Sequence, residues 1–263
     1  LFTLFLDDLK DYLDPSNGVT VEDIVICYLL FADDLLLISE TSAGIQKLIN
    51  GLEIYCAQWH AIVNLTKTKL VIFNKQFLPH CSVGVFKFNG KPIQEVDSYN
   101  YVGIIFSNTN NRFIKNIDNT SSKANRAIFA AKKLVYEAAG SQMPVSVYLK
   151  IFDTQIQPIL EYGSEIWYSP KPVSKLEIVH LGYLKNALRV KNTTPTLAVY
   201  GETGRFPVEI KMKCMLVKYW FRIVTLEQSN PLVKVYKTLL YLHNSASGYG
   251  TWCETVKSIL IET

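Results

Sequence analysis

The rhythm of apolar and polar positions changes twice along the chain. Leu1, Phe2, Leu4, Phe5, Leu6 and Leu9 open it with a spacing that predicts the end of an amphipathic helix over 1–13. Asp14-Pro15-Ser16-Asn17-Gly18 then predicts a turn. Val19 to Ile26 is mostly β-branched, and Cys27 to Phe31 stays apolar. After Asp33 and Asp34 the apolar character resumes from Leu35 to Ile38. Two short apolar runs around two polar residues predict a β-hairpin with the carboxylates at its tip. In Ile45, Leu48, Ile49, Leu52, Tyr55, Cys56 and Trp59 the period lengthens to that of a helix, with Thr41 or Ser42 as its cap. Strands are predicted over Lys69 to Phe73, over Val83 to Phe88 (closed by the hairpin turn Asn89-Gly90) and over Tyr99 to Phe106.

Beyond Asn108 only helical periods recur. Phe113, Ile117, Ala124, Ile128, Ala131 and Val135 predict one long helix. Another opens at Pro144 and is expected to kink at Pro158. Leu176 to Val190 and Ile210 to Leu226 complete the set, and beyond Asn244 the pattern weakens. The fold class expected is α+β, with mixed antiparallel hairpins and helices over 1–107 and an all-α region over 108–263. No internal repeat is present.

Composition sharpens this division. Apolar residues make up 49% and charged residues 19%, enough to bury a core and too few charges for disorder. Residues 1–110 carry 7 Lys and Arg against 12 Asp and Glu, a net of −5, whereas 111–263 carry 20 against 11, a net of +9. An acidic part followed by a basic one suggests that one holds cations and the other a polyanion. No apolar run reaches the length of a membrane span, so no membrane partner is expected. Cys27, Cys56, Cys81, Cys214 and Cys253 are widely spaced without a C-x-x-C pair, as are His60, His80, His180 and His243. Free thiols in a reducing compartment are expected, and a structural zinc site is not. The chain begins at Leu1 inside an amphipathic pattern, and an amino-terminal truncation is the expectation drawn from it.

The most informative stretch is Phe31-Ala32-Asp33-Asp34, set between nine apolar residues before the pair, from Ile24 to Ala32, and four after it. Adjacent carboxylates in such company need exposure at a tip, basic partners or a divalent cation. Magnesium suits the third option, because it takes hard oxygen ligands and keeps phosphates and water in its other positions. By itself the pair also reads as a solvated turn, Asp being common there.

Phe31-Ala32-Asp33-Asp34 resembles the [F/Y]-x-D-D signature of reverse transcriptases, in the form found in non-LTR (LINE-like) retrotransposons and group II introns. Leu1 to Leu9 is similar to the L-F-x-L-x-x-N-D-L segment, with Asp7 in place of Asn. Val63-Asn64-Leu65-Thr66-Lys67-Thr68-Lys69 resembles the V-N-x-x-K-T-K element of the polymerase palm. Tyr99-Asn100-Tyr101-Val102-Gly103 resembles the primer-grip Y-L-G, with Val102 for Leu. Pro158 to Trp167 is similar to a P-x-L-x-Y-x-x-x-x-W segment that follows the polymerase, and Tyr200 to Pro207 to the tails of such elements. Their order and spacing together are more specific than any one of them.

This resemblance implies a partial palm over 1–107 and a thumb-like helical region over 108–263, part of an RNA-directed DNA polymerase. It implies Asp33 as a magnesium ligand, Asp34 as a ligand or close partner, Lys67 as general acid or charge stabiliser toward pyrophosphate, Phe31 and Ala32 near the primer end, and Tyr101 and Gly103 in the primer grip. The partners implied are an RNA template, a DNA primer and deoxynucleotides, with the intact enzyme expected in cytoplasm and nucleus. A further metal-binding Asp, the fingers and any endonuclease would precede residue 1, so the chain alone is expected to be inactive. Lys211, Lys218 and Arg222 share a helical face suited to phosphates; Lys115, Lys123, Arg126, Lys132 and Lys133 decorate the first long helix, and Lys185, Arg189 and Lys191 a later one. Each helix alone also reads as an ordinary solvated face, and Lys67 and Tyr101 as a solvated lysine and a packed ring. The alternative to an enzyme fragment is a non-catalytic nucleic-acid-binding remnant, or a folded relic without binding.

Overall fold

The computed structural model describes residues 6–73, 85–109, 113–139, 143–169, 173–245 and 252–262. The fold class is α+β. The chain forms two units, one of residues 1–110 with 227–242 and one of residues 111–226 with 243–263.

The first unit is built from short hairpins around one helix. A 3₁₀ helix at Asp7–Asp11 stands where an α-helix is expected, and Leu1 to Phe5 lie outside the described residues. The apolar run predicted as one stretch folds back on itself: β1 (Val19–Val21) pairs antiparallel with β2 (Ile24–Ile26). β3 (Tyr28–Phe31) and β4 (Asp34–Leu37) form the predicted hairpin, with Phe31 opposite Asp34. Helix α1 (Ser42–Trp59) starts at Thr41, whose hydroxyl accepts from the Gly44 N–H, and stops at His60 in the left-handed region. Of its apolar stripe Leu48, Ile49, Tyr55 and Cys56 are buried and Ile45 and Leu52 half-buried, while Trp59 is exposed.

β5 (Lys69–Leu70) is shorter than predicted and pairs in parallel with β8 (Gln94–Glu95). β6 (Lys87–Phe88) and β7 (Lys91–Pro92) flank Asn89-Gly90 as predicted, while Val83 and Gly84 of that expected strand lie outside the described residues. Helix α1 holds this hairpin. The Gln46 amide donates to the Lys87 carbonyl at 2.9 Å and accepts from the Lys87 N–H at 3.0 Å, and Glu53 accepts from the Asn89 N–H. The stretch expected as one strand over Tyr99 to Phe106 is a hairpin, β9 (Ser98–Tyr101) and β10 (Ile104–Ser107). Leu9, Leu13, Cys27, Leu48, Ile49, Tyr55, Phe86 and Phe88 form the core. Gly51 lets α1 approach the 3₁₀ segment; a Cβ there would lie 2.2 Å from the Tyr12 carbonyl oxygen.

The helical unit runs α2 (Ile114–Ala139), α3 (Val145–Ile151), a π turn (Phe152–Ile156), α4 (Gln157–Glu161), α5 (Ser164–Trp167), α6 (Ser174–Ala187), α7 (Thr196–Thr203) and α8 (Val208–Val224). The kink expected at Pro158 is this π turn. Proline cannot donate to the carbonyl four residues back, and its ring crowds that group, so the preceding turn widens. Two further helices follow, α9 (Pro231–Ser245), which no expectation covers, and α10 (Trp252–Glu262), in the stretch where the pattern weakens. The segment 227–242 belongs to the first unit, where Lys234 pairs with Asp23 of the β1–β2 turn at 2.8 Å. Cys27, Cys56, Cys214 and Cys253 are free thiols, and Cys81 lies outside the described residues. Among the described residues no helix is long and apolar enough to cross a membrane.

Candidate active site and nucleic-acid interface

The β3–β4 hairpin turns in two residues, Ala32 and Asp33. Pairing alternates faces, so Tyr28, Leu30, Leu35 and Leu37 share one face and Leu29, Phe31, Asp34 and Leu36 the other. Tyr28, Leu35 and Leu37 pack on the core and anchor the hairpin. The opposite face is open: Phe31 is 60% exposed, beside Asp34. Asp33 and Asp34 are both exposed at the tip, so of the three ways to accommodate them, exposure is the one seen. Neither makes an ion pair among the described residues.

Ala32 has φ +53, a left-handed conformation that strains a residue with a Cβ. It is not alone, since the first turn residue of every two-residue hairpin here has positive φ: Glu22 at 52°, Ala32 at 53°, Asn89 at 48° and Val102 at 47°. Only Asn89 suits that position. At the β9–β10 turn Gly103 follows with φ 83, a conformation that its lack of a side chain permits.

Tyr101 is the last residue of β9. Burial raises the pKa of its hydroxyl and the Asp34 charge raises it further, which requires the two groups to be within electrostatic reach. Lys67 is placed differently. It lies in a loop wound around Asn64, whose Oδ1 accepts from the Thr66 and Lys67 N–H groups at 3.0 and 3.3 Å. No hydrogen bond or ion pair joins Lys67 to Asp33 or Asp34. The neighbouring Lys69 donates to Gln94 Oε1 at 2.6 Å across the β5–β8 pair, a structural use.

Magnesium is tested by the donors present. Asp33 and Asp34 are hard, accessible oxygen donors of the right kind. Among the described residues no group of three or more Asp, Glu, His or Cys converges on one point. Two neighbouring carboxylates supply only part of an octahedral shell, so these residues alone do not complete a two-metal centre.

In the helical unit the basic residues divide by what they touch. Lys211 is held by Glu161 at 3.2 Å and Lys213 by Glu209 at 3.3 Å. Arg205 donates to Asp153 at 2.6 Å, and Lys175 to Asp118. Lys218 and Arg222 are exposed one turn apart on α8 with exposed Phe221 beside them, opposite the buried face of Met212, Leu216 and Ile223. Of the three α8 residues expected to meet phosphates, Lys211 is therefore engaged by its own chain and the other two stand ready.

The remaining motif residues act as scaffold. Trp167 is fully buried and its indole donates to the Tyr162 carbonyl at 2.7 Å. Tyr200 donates to Glu177, whose second oxygen accepts from the Val208 N–H at 2.8 Å and so caps α8. His180 lies 3.2 Å from Glu177 and stacks on Phe152 at 4.7 Å. Burial pushes the Glu177 pKa up, but the hydrogen bonds from His180 and Tyr200 outweigh it and hold the carboxyl below its ordinary value. The same bond and burial drive Tyr200 far above the usual phenol range. Sequence reading missed this network. The i, i+3 pair Glu177 and His180 was its one local signal.

No family model matches the chain. Over 153 residues it is 28% identical to an uncharacterized transposon-derived protein of Caenorhabditis elegans, the match covering 58% of this chain and 53% of that protein. The chain thus spans about half the length of the curated relative it matches, and its similarity is to a protein of transposon origin.

Proposed function

We propose that this chain is part of the reverse transcriptase of a non-LTR retrotransposon: a palm fragment bearing the carboxylate pair, and a helical region that grips the template–primer. One observation carries the reading. The register of β3 and β4 puts two adjacent carboxylates, exposed and without a basic partner, on a two-residue turn anchored by Tyr28, Leu35 and Leu37. A turn mounted on packed strands fixes the carboxylates while leaving them open to a large ligand, as polymer-end chemistry requires. The similarity to a transposon-derived protein supports the same origin.

Under this proposal Asp33 and Asp34 hold part of a magnesium site, which when complete supplies Lewis-acid activation of a 3′-hydroxyl and of the departing pyrophosphate. Phe31, exposed beside Asp34, gives the primer end an apolar surface. Tyr101 faces the Asp34 charge from the neighbouring hairpin, and Ala32 holds the tip in its strained bend. Lys67, in the loop wound around Asn64, would steady the charge of the leaving group. Lys218 and Arg222 contact phosphates of the duplex, and Lys211 contributes less because Glu161 holds it.

The test has two arms. The chain should bind an RNA–DNA primer–template with an affinity that falls linearly in log salt, and K218E/R222E should flatten that slope by about 2. Primer extension with magnesium and deoxynucleotides should be absent for the chain alone, and should arise in a longer product of the same reading frame that supplies another carboxylate strand. Asp33→Asn should then abolish it. Absence of any salt-dependent duplex binding would sink the grip, and extension indifferent to Asp33→Asn would sink the assignment of the carboxylates.

The second reading is a non-catalytic nucleic-acid-binding remnant. It is favoured by the lack of a third convergent ligand among the described residues. It expects the same duplex binding, with no extension from any product of the frame.

A further inference from the structure

A groove between α2 and α6 is used by none of the roles above. It encloses about 380 Å3, with Ser121, Asn125 and Lys132 on one wall and Lys175, Gly182 and Tyr183 on the other. Its floor is apolar, since Ile128 and Val179 are buried there. Gly182 leaves the wall open; a Cβ built on it would meet nothing within 4 Å. Both charged side chains that line it are lysines, and Lys132 makes no ion pair among the described residues.

From Lys132, which lines the groove, an unusual face of α2 continues outward. Phe129, Lys132, Lys133 and Tyr136 follow the spacing i, i+3, i+4, i+7 and so share one face of α2. Phe129 and Tyr136 are each 72% exposed, although Ala124, Ile128 and Val135 of the same helix are buried. A core stripe would bury those rings, and an ordinary solvated face would not carry them. Lys133 meets Glu137 only at 3.8 Å with both side chains open to solvent, a contact too weak to hold the ammonium group. Two rings about 10 Å apart along the helix axis, with ammonium groups between them, are thus offered outward.

We propose that this groove and the aromatic face of α2 form a track for a single strand of RNA, separate from the duplex face of α8. The proposal rests on the nucleic-acid reading of the helical unit and adds to it a strand class and a place. Phe129 and Tyr136 stack on unpaired bases, Lys132 meets a phosphate, and Ser121 and Asn125 offer hydrogen bonds to sugar or base edges, while Lys175 on the other wall stays paired with Asp118. A duplex is a poor fit, because its bases are already stacked and show no free ring faces. Charge selects a polyanion over an apolar peptide.

The test uses the whole chain and two fluorescent probes, an unstructured oligouridine and an RNA–DNA hybrid duplex, read by anisotropy. F129A/Y136A should weaken oligouridine binding at least tenfold and change duplex binding less than twofold. The conservative pair F129Y/Y136F should keep the single-strand affinity, and Lys132→Glu should lower its salt slope by about 1. K218E/R222E should do the reverse, weakening the duplex and sparing the single strand. Both rings are exposed, so circular dichroism of F129A/Y136A should match the parent. Single-strand affinity unchanged in F129A/Y136A overturns the track while leaving the duplex grip standing. Loss of self-association by sedimentation, in place of lost RNA binding, also overturns it and makes the face a contact between copies. If neither probe binds, the nucleic-acid reading itself falls, and the track with it.

Discussion

The two units handle charge in opposite ways. In the hairpin unit the most informative carboxylates, Asp33 and Asp34, stand exposed and without basic partners on a strained turn. In the helical unit the informative carboxylate, Glu177, is largely enclosed and satisfied by Tyr200, His180 and the Val208 N–H. Several cations of that unit are likewise held by acids of their own chain. Net charge alone therefore misjudges both. The acidic unit leaves Asp33 and Asp34 exposed at a tip, whereas the basic unit uses some of its charges as struts and leaves a few, such as Lys218 and Arg222, in no ion pair among the described residues. Strain is concentrated on the hairpin tips of the first unit, with three ill-suited residues at positive φ, while Arg189 at φ 57 carries it in the helical unit.

That contrast can be broken at its strongest point first. Glu177→Ala strands the Tyr200 hydroxyl and the first N–H of α8 together, and should cost the helical unit about 3 kcal/mol. Hydrogen exchange resolved by segment should show residues 174–224 loosening while α1 stays protected. The network also predicts a pH response. Because the folded state holds the Glu177 pKa below its ordinary 4.5, its contribution is complete above that pH and is lost as pH falls through the folded value. Glu177→Gln should flatten this acid limb in thermal melts recorded from pH 7 to pH 3.

Gly51→Ala tests the first unit in the same way. With the Tyr12 carbonyl 2.2 Å from the new Cβ, α1 must shift, and the loss should be about 2 kcal/mol. Here exchange should rise in α1 and leave α8 unchanged; the opposite pattern would show that the units do not partition stability as described. A smaller effect of opposite sign is expected at a tip. Val102→Gly relieves a β-branched residue at φ 47 and should raise stability by about 1 kcal/mol in chemical denaturation. The smallest effect separates strut from grip: Lys211→Met should weaken duplex binding less than Lys218→Met does, in anisotropy at fixed salt.

How much of this was legible varied with how local each cause is. The hairpin around Asp33 and Asp34 was readable because its apolar runs and its polar interruption are contiguous. The helix from Ser42 was readable from its stripe and its Thr41 cap. The turns at Glu22-Asp23 and Val102-Gly103 were not, because neither Glu22 nor Val102 announces a positive φ, and two hairpins were taken for continuous strands. The helix α9 had a signal in Asn230-Pro231, whose Asn side chain accepts from the Leu232 N–H at 2.9 Å, and it was missed although its residues are amphipathic. At the candidate site the carboxylates and the α8 face were legible as residue types at fixed spacings. The approach of Tyr101 to Asp34 and the loss of Lys211 to Glu161 were not, because each depends on elements far apart in the chain.

The pairing of Asp23 with Lys234, 211 positions along the chain, bears on how the protein is made. The segment 227–242 completes the first unit, so that unit is assembled from two stretches separated by residues 111–226. On a ribosome the early hairpins must wait for more than a hundred later residues before their last neighbour arrives, and such long-range closure is slow. The β1–β2 turn therefore gains its cation only after residue 234 has been made, and the helical unit waits longer still, for its own last segment 243–263.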